Sequence, residues 1–156
     1  LLSYNVDGLI LSDTQHTERT RKMIATAGIP VVETMDLPQT PIDMVVGMDH
    51  RAAARAMVTE MLRRGRRKVV YLGARLDVRT QLRMEGYYQA MADFGLDGKH
   101  LLTEQSSSFT LGGELLEQAM ARYPDLDGLF CTNDDVAVGA LLQCQALLGQ
   151  LQTPGQ

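Results

Sequence analysis

Cysteine is scarce in this chain of 156 residues: Cys131 and Cys144 are the only two. Two thiols at that spacing supply neither a zinc site nor a disulfide framework. They suit a reducing compartment such as the cytoplasm, where small buried thiols are the plain expectation. Histidine is nearly as rare. His16, His50 and His100 have no metal-ligand spacing, and each reads as a surface residue. No apolar run approaches the ~20 residues of a membrane-spanning helix, so no membrane partner is expected. The stretch Leu1 to Asn5 has neither the charged nor the apolar region of a signal peptide. No glycine-rich phosphate fingerprint follows a strand pattern; Gly112-Gly113 opens a helix without the required spacing. Ser106-Ser107-Ser108 has no identifiable base partner and reads as a turn, which argues against an enzyme. Internal repeats and low-complexity tracts are absent. So is an excess of positive charge: 15 Lys and Arg against 19 Asp and Glu leave a net charge of −4. That is not the electrostatic footprint of a DNA-binding domain.

What the chain does have is apolar material, 45% of its residues, in an alternating pattern. Val6 to Leu11 reads as a strand. Thr17 to Ala27 reads as a helix with Thr20, Met23, Ile24 and Ala27 on one face, stopped by Gly28 and Pro30. Val31 to Glu33 and Met44 to Gly47 read as strands around a loop that holds Pro38 and Pro41. Ala54, Met57, Val58, Met61 and Leu62 recur at helical spacing, and Gly65 ends that helix. Lys68 to Gly73 is the next strand. It is followed by the polar loop Ala74 to Val78 and a helix with Leu82, Tyr87, Ala90, Met91 and Phe94 as its apolar face. Leu101 to Glu104, a helix carrying Leu115, Leu116, Ala119, Met120 and Tyr123, Gly128 to Cys131, and a helix from Asp134 to Leu148 complete the order. Gln152 to Gln156 reads as a loop cut before a further strand. Such alternation specifies an α/β fold with parallel sheets and right-handed crossovers.

Ligands of open α/β sheets sit off the carboxyl ends of the strands. Two such ends are unusually polar: Arg75 to Arg83, and Thr132-Asn133-Asp134-Asp135. Strands of one parallel sheet point the same way, so both loops are expected on one edge. Arg79 and Arg83, one helical turn apart, offer guanidinium forks that match a carboxylate. Asn133 and Asp134 can satisfy hydroxyls, and Asp77 can fix the loop or an arginine. The set suits a polyhydroxylated ligand with an acidic group. Asp77 and Asn133 also stand where helix N-caps belong, and an arginine pair also suits a solvated face, so spacing alone leaves both roles open. The basic run Arg63 to Lys68 is isolated in an acidic chain; Arg63 and Arg64 read as complements of a helix C-terminus.

At these residues a family resemblance emerges. Asp49-His50-Arg51-Ala52-Ala53-Ala54 through Arg63-Arg64-Gly65-Arg66-Arg67-Lys68-Val69 resembles the LacI/GalR-type transcriptional regulators, with their acidic-Asn pair, small-residue helix and Leu-Gly-His-Arg. Val6-Asp7-Gly8-Leu9-Ile10 is similar to the family's Asp-Gly-Ile-Ile strand, and Arg83-Met84-Glu85-Gly86-Tyr87 to its R-x-x-G-aromatic helix. Asp127 to Asp134, followed by Ala137-Val138-Gly139-Ala140, resembles its Asn-Asp signature. Tyr71 to Asp77, Glu104 to Ser108 and Phe130 to Asp135 resemble the gluconate-utilisation repressor branch. There are departures: His50 replaces the usual Asn or Asp, Arg66 the usual His, and Met35 stands where many relatives place an acidic contact, with Asp36 adjacent.

The resemblance implies a periplasmic-binding-protein-like type I fold with two parallel-sheet lobes, incomplete in this chain. Residues 1–47 would be part of the N-terminal effector-binding lobe and 48–156 most of the C-terminal one. The DNA-binding helix-turn-helix is absent, so the chain reads as a fragment that recognises no operator by itself. Implied partners are gluconate or a similar sugar acid bound in a cleft, operator DNA through the missing N-terminal domain, and a second copy in a homodimer. No cofactor or metal is implied. The competing reading on the same fold is a periplasmic sugar-binding protein serving a transporter.

Overall fold

A computed structural model describes residues 5–152, with side chains through Leu151. The first four residues, and the tail read as a loop beyond Gln152, lie outside the described residues. The chain divides into two compact units, Leu1–Asp49 and His50–Gln156.

In the first unit β1 (Leu9–Leu11), α1 (Glu18–Ala27), β2 (Val31–Met35) and β3 (Met44–Gly47) build a parallel sheet of order β1-β2-β3. β1 is shorter than the expected Val6–Leu11. Its partner β2 begins at Val31, directly after Pro30, which has no N–H for a ladder. The Thr17 hydroxyl accepts from the Thr20 amide to open α1, and Gly28, at φ 65°, closes it in the left-handed region, as its sequence position predicts. Of the expected apolar face only Ile24 is buried. It packs with Leu9 and Val31, whereas Met23 is half exposed and Thr20 is turned to the cap at Thr17. Glu33 is fully buried in β2. Its carboxylate accepts from the Ile42 amide at 2.8 Å and from His16 Nε2 at 3.1 Å. His16 is therefore an inward-facing partner of a buried carboxylate rather than the surface residue expected.

The second unit is a three-layer sandwich. β4 (Val69–Ala74) is buried throughout and forms the centre of a parallel sheet of order β5-β4-β6, with β5 Lys99–Thr103 and β6 Gly128–Cys131. Its side chains alternate between faces, as pleating requires. Val69 and Tyr71 join Val58, Leu62, Tyr87, Ala90 and Met91 of α2 (His50–Arg63) and α3 (Val78–Asp93). Val70, Leu72 and Ala74 join Leu111, Leu115, Ala119 and Val136 of α4 (Phe109–Arg122) and α5 (Asp134–Gln152). Each fully buried aliphatic here contributes about 1.5–3 kcal/mol over exposure.

The basic run is absorbed structurally. Arg64 pairs with Glu60, Arg67 donates to the Leu62 and Arg66 carbonyls, and Asp127 accepts from the Arg67 and Lys68 amides. Ser108, the last of the serine triplet, is the N-cap of α4. The two thiols differ from each other. Burial pushes the Cys131 thiol up to about 12, whereas Cys144 lies exposed on α5 against the expectation of a buried thiol. α5 leaves Leu141, Leu142, Leu148 and Leu151 exposed, and it runs past the expected end at Leu148.

Candidate ligand-binding site

β4 and β6 are neighbours and parallel, so their carboxyl ends open side by side and bring the two polar loops to one edge. Thr132, the first residue past β6, is the hub. Its amide donates to the Leu72 carbonyl at 2.9 Å. Its hydroxyl lies 2.9 Å from that of Thr80, in the first turn of α3. The Thr80 hydroxyl spends its single proton on the Ala74 carbonyl at 3.0 Å, so Thr132 donates to Thr80. Tyr71 donates to the Thr80 carbonyl at 2.9 Å; burial above all pushes its phenol up to about 12, partly offset by Thr132 and by the Arg83 charge. The whole set is buried and fixes the start of α3 against the ends of two strands.

On that frame Arg83 is half-buried, with its guanidinium held from two sides. Nη1 donates to the Thr132 carbonyl and Nη2 to His50 Nδ1 at 3.3 Å. Both acceptors are neutral, and among the described residues no carboxylate pairs with Arg83. Arg79 is half-buried one turn earlier on the same helix.

Asp77 and Asn133 do cap helices. The Asp77 side chain accepts from the Thr80 amide at 2.8 Å. Asn133 accepts from the Val136 amide at 3.1 Å and donates from Nδ2 to Ser107 Oγ at 2.5 Å, tying the loop before α4 to the edge. Asp134 is exposed in the first turn of α5. Sequence reasoning missed Thr80, Thr132, Ser107 and His50. The first three are small hydroxyl residues whose role exists only once the strand ends are adjacent. His50 is 5% exposed, not a surface histidine, because it opens α2 facing Arg83 of α3.

The backbone is strained at the same edge. Arg75 and Leu76 occupy the left-handed region at φ 66° and 47°, at a cost of about 1–3 kcal/mol each. The Arg75 amide is held by the Gln105 carbonyl at 2.9 Å. In the first unit Met35, at the carboxyl end of that sheet's central strand, is likewise left-handed at φ 80°. Among the described residues no group of three His, Cys, Asp or Glu side chains is disposed to hold a metal, and no helix is long and apolar enough to cross a membrane.

Two successive α/β units, each with a three-stranded parallel sheet, are the architecture of a periplasmic-binding-protein-like core. The family described as periplasmic binding proteins and sugar binding domain of LacI family matches residues 1–155. The chain belongs to the LacI family, as this sugar-binding domain. It is 55% identical over 147 residues to the HTH-type transcriptional regulator GntR of Escherichia coli, covering 94% of this chain and 44% of that protein. It is 49% identical over 146 residues to the HTH-type transcriptional regulator IdnR of the same organism, covering 93% and 44%. A solved structure of the transcription regulator GntR from Chromobacterium violaceum superposes with a TM-score of 0.86 at 35% identity, over 94% of this chain and 54% of that one. The chain thus spans less than half the length of the curated relatives it matches.

Proposed function

We propose that the full-length protein is a repressor that binds gluconate or a similar sugar acid at the edge built by β4, β6 and the start of α3. The observation that carries this reading is Arg83: a half-buried cation, pinned by a carbonyl and an imidazole, with no carboxylate paired to it among the described residues. Arg79 adds a second positive charge on the same face. Asn133 and Asp134 orient hydroxyls from the start of α5, and Asp77 holds the loop. The likeness to gluconate-utilisation repressors supports the acid over a neutral hexose.

In this reading residues 1–47 and 48–156 belong to the two effector-binding lobes of a cytoplasmic homodimer. Operator DNA is met through a helix-turn-helix domain outside this chain. The protein performs no catalysis and needs no cofactor. Effector binding shifts the population of the form that grips the operator, and the coupling is reciprocal in free energy. The resemblance implies induction. A transporter's periplasmic binding protein would share the fold, but the similar curated proteins are transcriptional regulators.

The test is calorimetric titration of the full-length protein and its Arg83→Leu variant with gluconate and glucose. Removing one partner of a desolvated charge contact costs about 2–5 kcal/mol, so gluconate affinity is expected to fall between roughly 30-fold and several thousand-fold. Because Arg83 also ties α3 to β6, thermal melting of both proteins accompanies the titration. Equal gluconate affinity in a folded variant removes Arg83 from the site. A wild-type preference for glucose overturns the sugar-acid assignment.

A further inference from the structure

We infer that His50 is a positioning residue, whose neutral imidazole sets the orientation in which Arg83 meets an anionic ligand; this rests on the reading of Arg83 as the anion contact. Arginine carries only donors, so the nitrogen 3.3 Å from Arg83 Nη2 must offer a lone pair. That fixes the tautomer: Nδ1 is bare and the ring proton sits on Nε2. Thr132, from another element, takes the other terminal nitrogen. A planar fork with each terminal nitrogen engaged by a different element has its plane fixed, and its remaining N–H groups are aimed before any ligand arrives. Since both holding groups are neutral, the positive charge remains available to an anion. A carboxylate in place of His50 would hold the same nitrogen but would cancel that charge. The imidazole can do this because it is almost wholly buried at the first position of α2, where packing restricts its own ring.

The prediction is specific to one atom. In His50→Asn, the amide oxygen lies near the position of Nδ1 and can accept from Arg83. In His50→Gln the oxygen lies one carbon further out, and in His50→Leu there is no acceptor. Gluconate titration of the full-length protein should show His50→Asn near wild type. His50→Gln and His50→Leu should bind about tenfold more weakly, as expected for loss of a charge-assisted hydrogen bond. In the Arg83→Leu background the same substitutions should have no further effect on affinity, because the group they position is gone. A merely structural histidine would weaken binding in both backgrounds.

The outcomes separate the two claims. If Arg83→Leu loses affinity but folded His50→Gln and His50→Leu bind as wild type does, the positioning role is wrong and the site stands. Gln rescuing as well as or better than Asn overturns it too, as does additivity with Arg83→Leu. If Arg83→Leu itself binds gluconate normally, the site reading fails and the positioning role falls with it.

Discussion

Gly86 of α3 offers a sharp test of how the helices beside the site are packed. A Cβ placed there would stand 2.2 Å from the Arg51 carbonyl oxygen and 2.9 Å from both the Arg55 amide nitrogen and the Ala54 Cβ. The first two are backbone atoms of α2 and cannot rotate away. An ordinary carbon–oxygen contact needs about 3.3 Å, so Gly86→Ala forces α2 and α3 apart by roughly 1 Å. That gap passes into a cluster of Val58, Leu62, Tyr87, Ala90 and Met91, all fully buried or nearly so. Overpacking of this kind costs about 1–3 kcal/mol, while the better helix propensity of alanine returns roughly 0.5–1 kcal/mol. The steric cost wins, and a net loss of about 1–2 kcal/mol is expected. Gly149→Ala is the control: it too lies in a helix, α5, but an added Cβ meets nothing within 4 Å, so only the propensity gain applies. Urea unfolding followed by far-UV circular dichroism should move the two variants in opposite directions. Gluconate affinity should also fall in Gly86→Ala, since α2 begins with His50 and Arg83 lies one turn before Gly86. A Gly86→Ala protein as stable as wild type would refute the close-approach argument.

Two further outcomes follow from the buried titratable groups. Cys144 is exposed and should react with iodoacetamide at pH 8 within minutes, while burial holds the Cys131 thiol protonated and it should label only in denaturant; equal labelling in the native protein would contradict its placement. Burial raises the phenols of Tyr71 and Tyr87 to about 12 from 10.0, so the stability tied to their protonated forms is complete below pH 10. It is lost as pH rises towards 12, by about 3 kcal/mol for each residue; a urea midpoint unchanged between pH 10 and 11.5 would count against this.

Much of the fold could be read from local chemistry. The Gly28 stop and the alternation of short apolar runs with helical faces placed the elements of both sheets, because each signal is a property of a few adjacent residues. The polar loops after β4 and β6 could be read for the same reason. What escaped depends on neighbours distant in sequence. His50 and His16 look like surface histidines until Arg83 and Glu33 arrive from other elements. The left-handed Arg75 and Leu76 carry no glycine to announce them. On spacing, Asp77 and Asn133 suited helix caps better than ligand contacts; the structure shows that they do cap, which still leaves part of each side chain's hydrogen-bonding capacity for a ligand.

The strand order of the second unit has a kinetic consequence. Arg83 and Thr132 are 49 residues apart in sequence, and the paired hydroxyls of Thr80 and Thr132 are 52 apart. Closing a loop of that length must be paid in chain entropy before any of these contacts forms. By contrast, β1 and β2 of the first unit are joined through a single short helix. During synthesis from the N-terminus, α2, β4 and α3 can leave the ribosome and begin to pack while β6 is still unmade. Until then the Arg83 fork has His50 but not Thr132. The edge that carries Arg83 is therefore among the last parts of this unit to be completed, and any ligand that requires it can reward only chains that have already folded past residue 132.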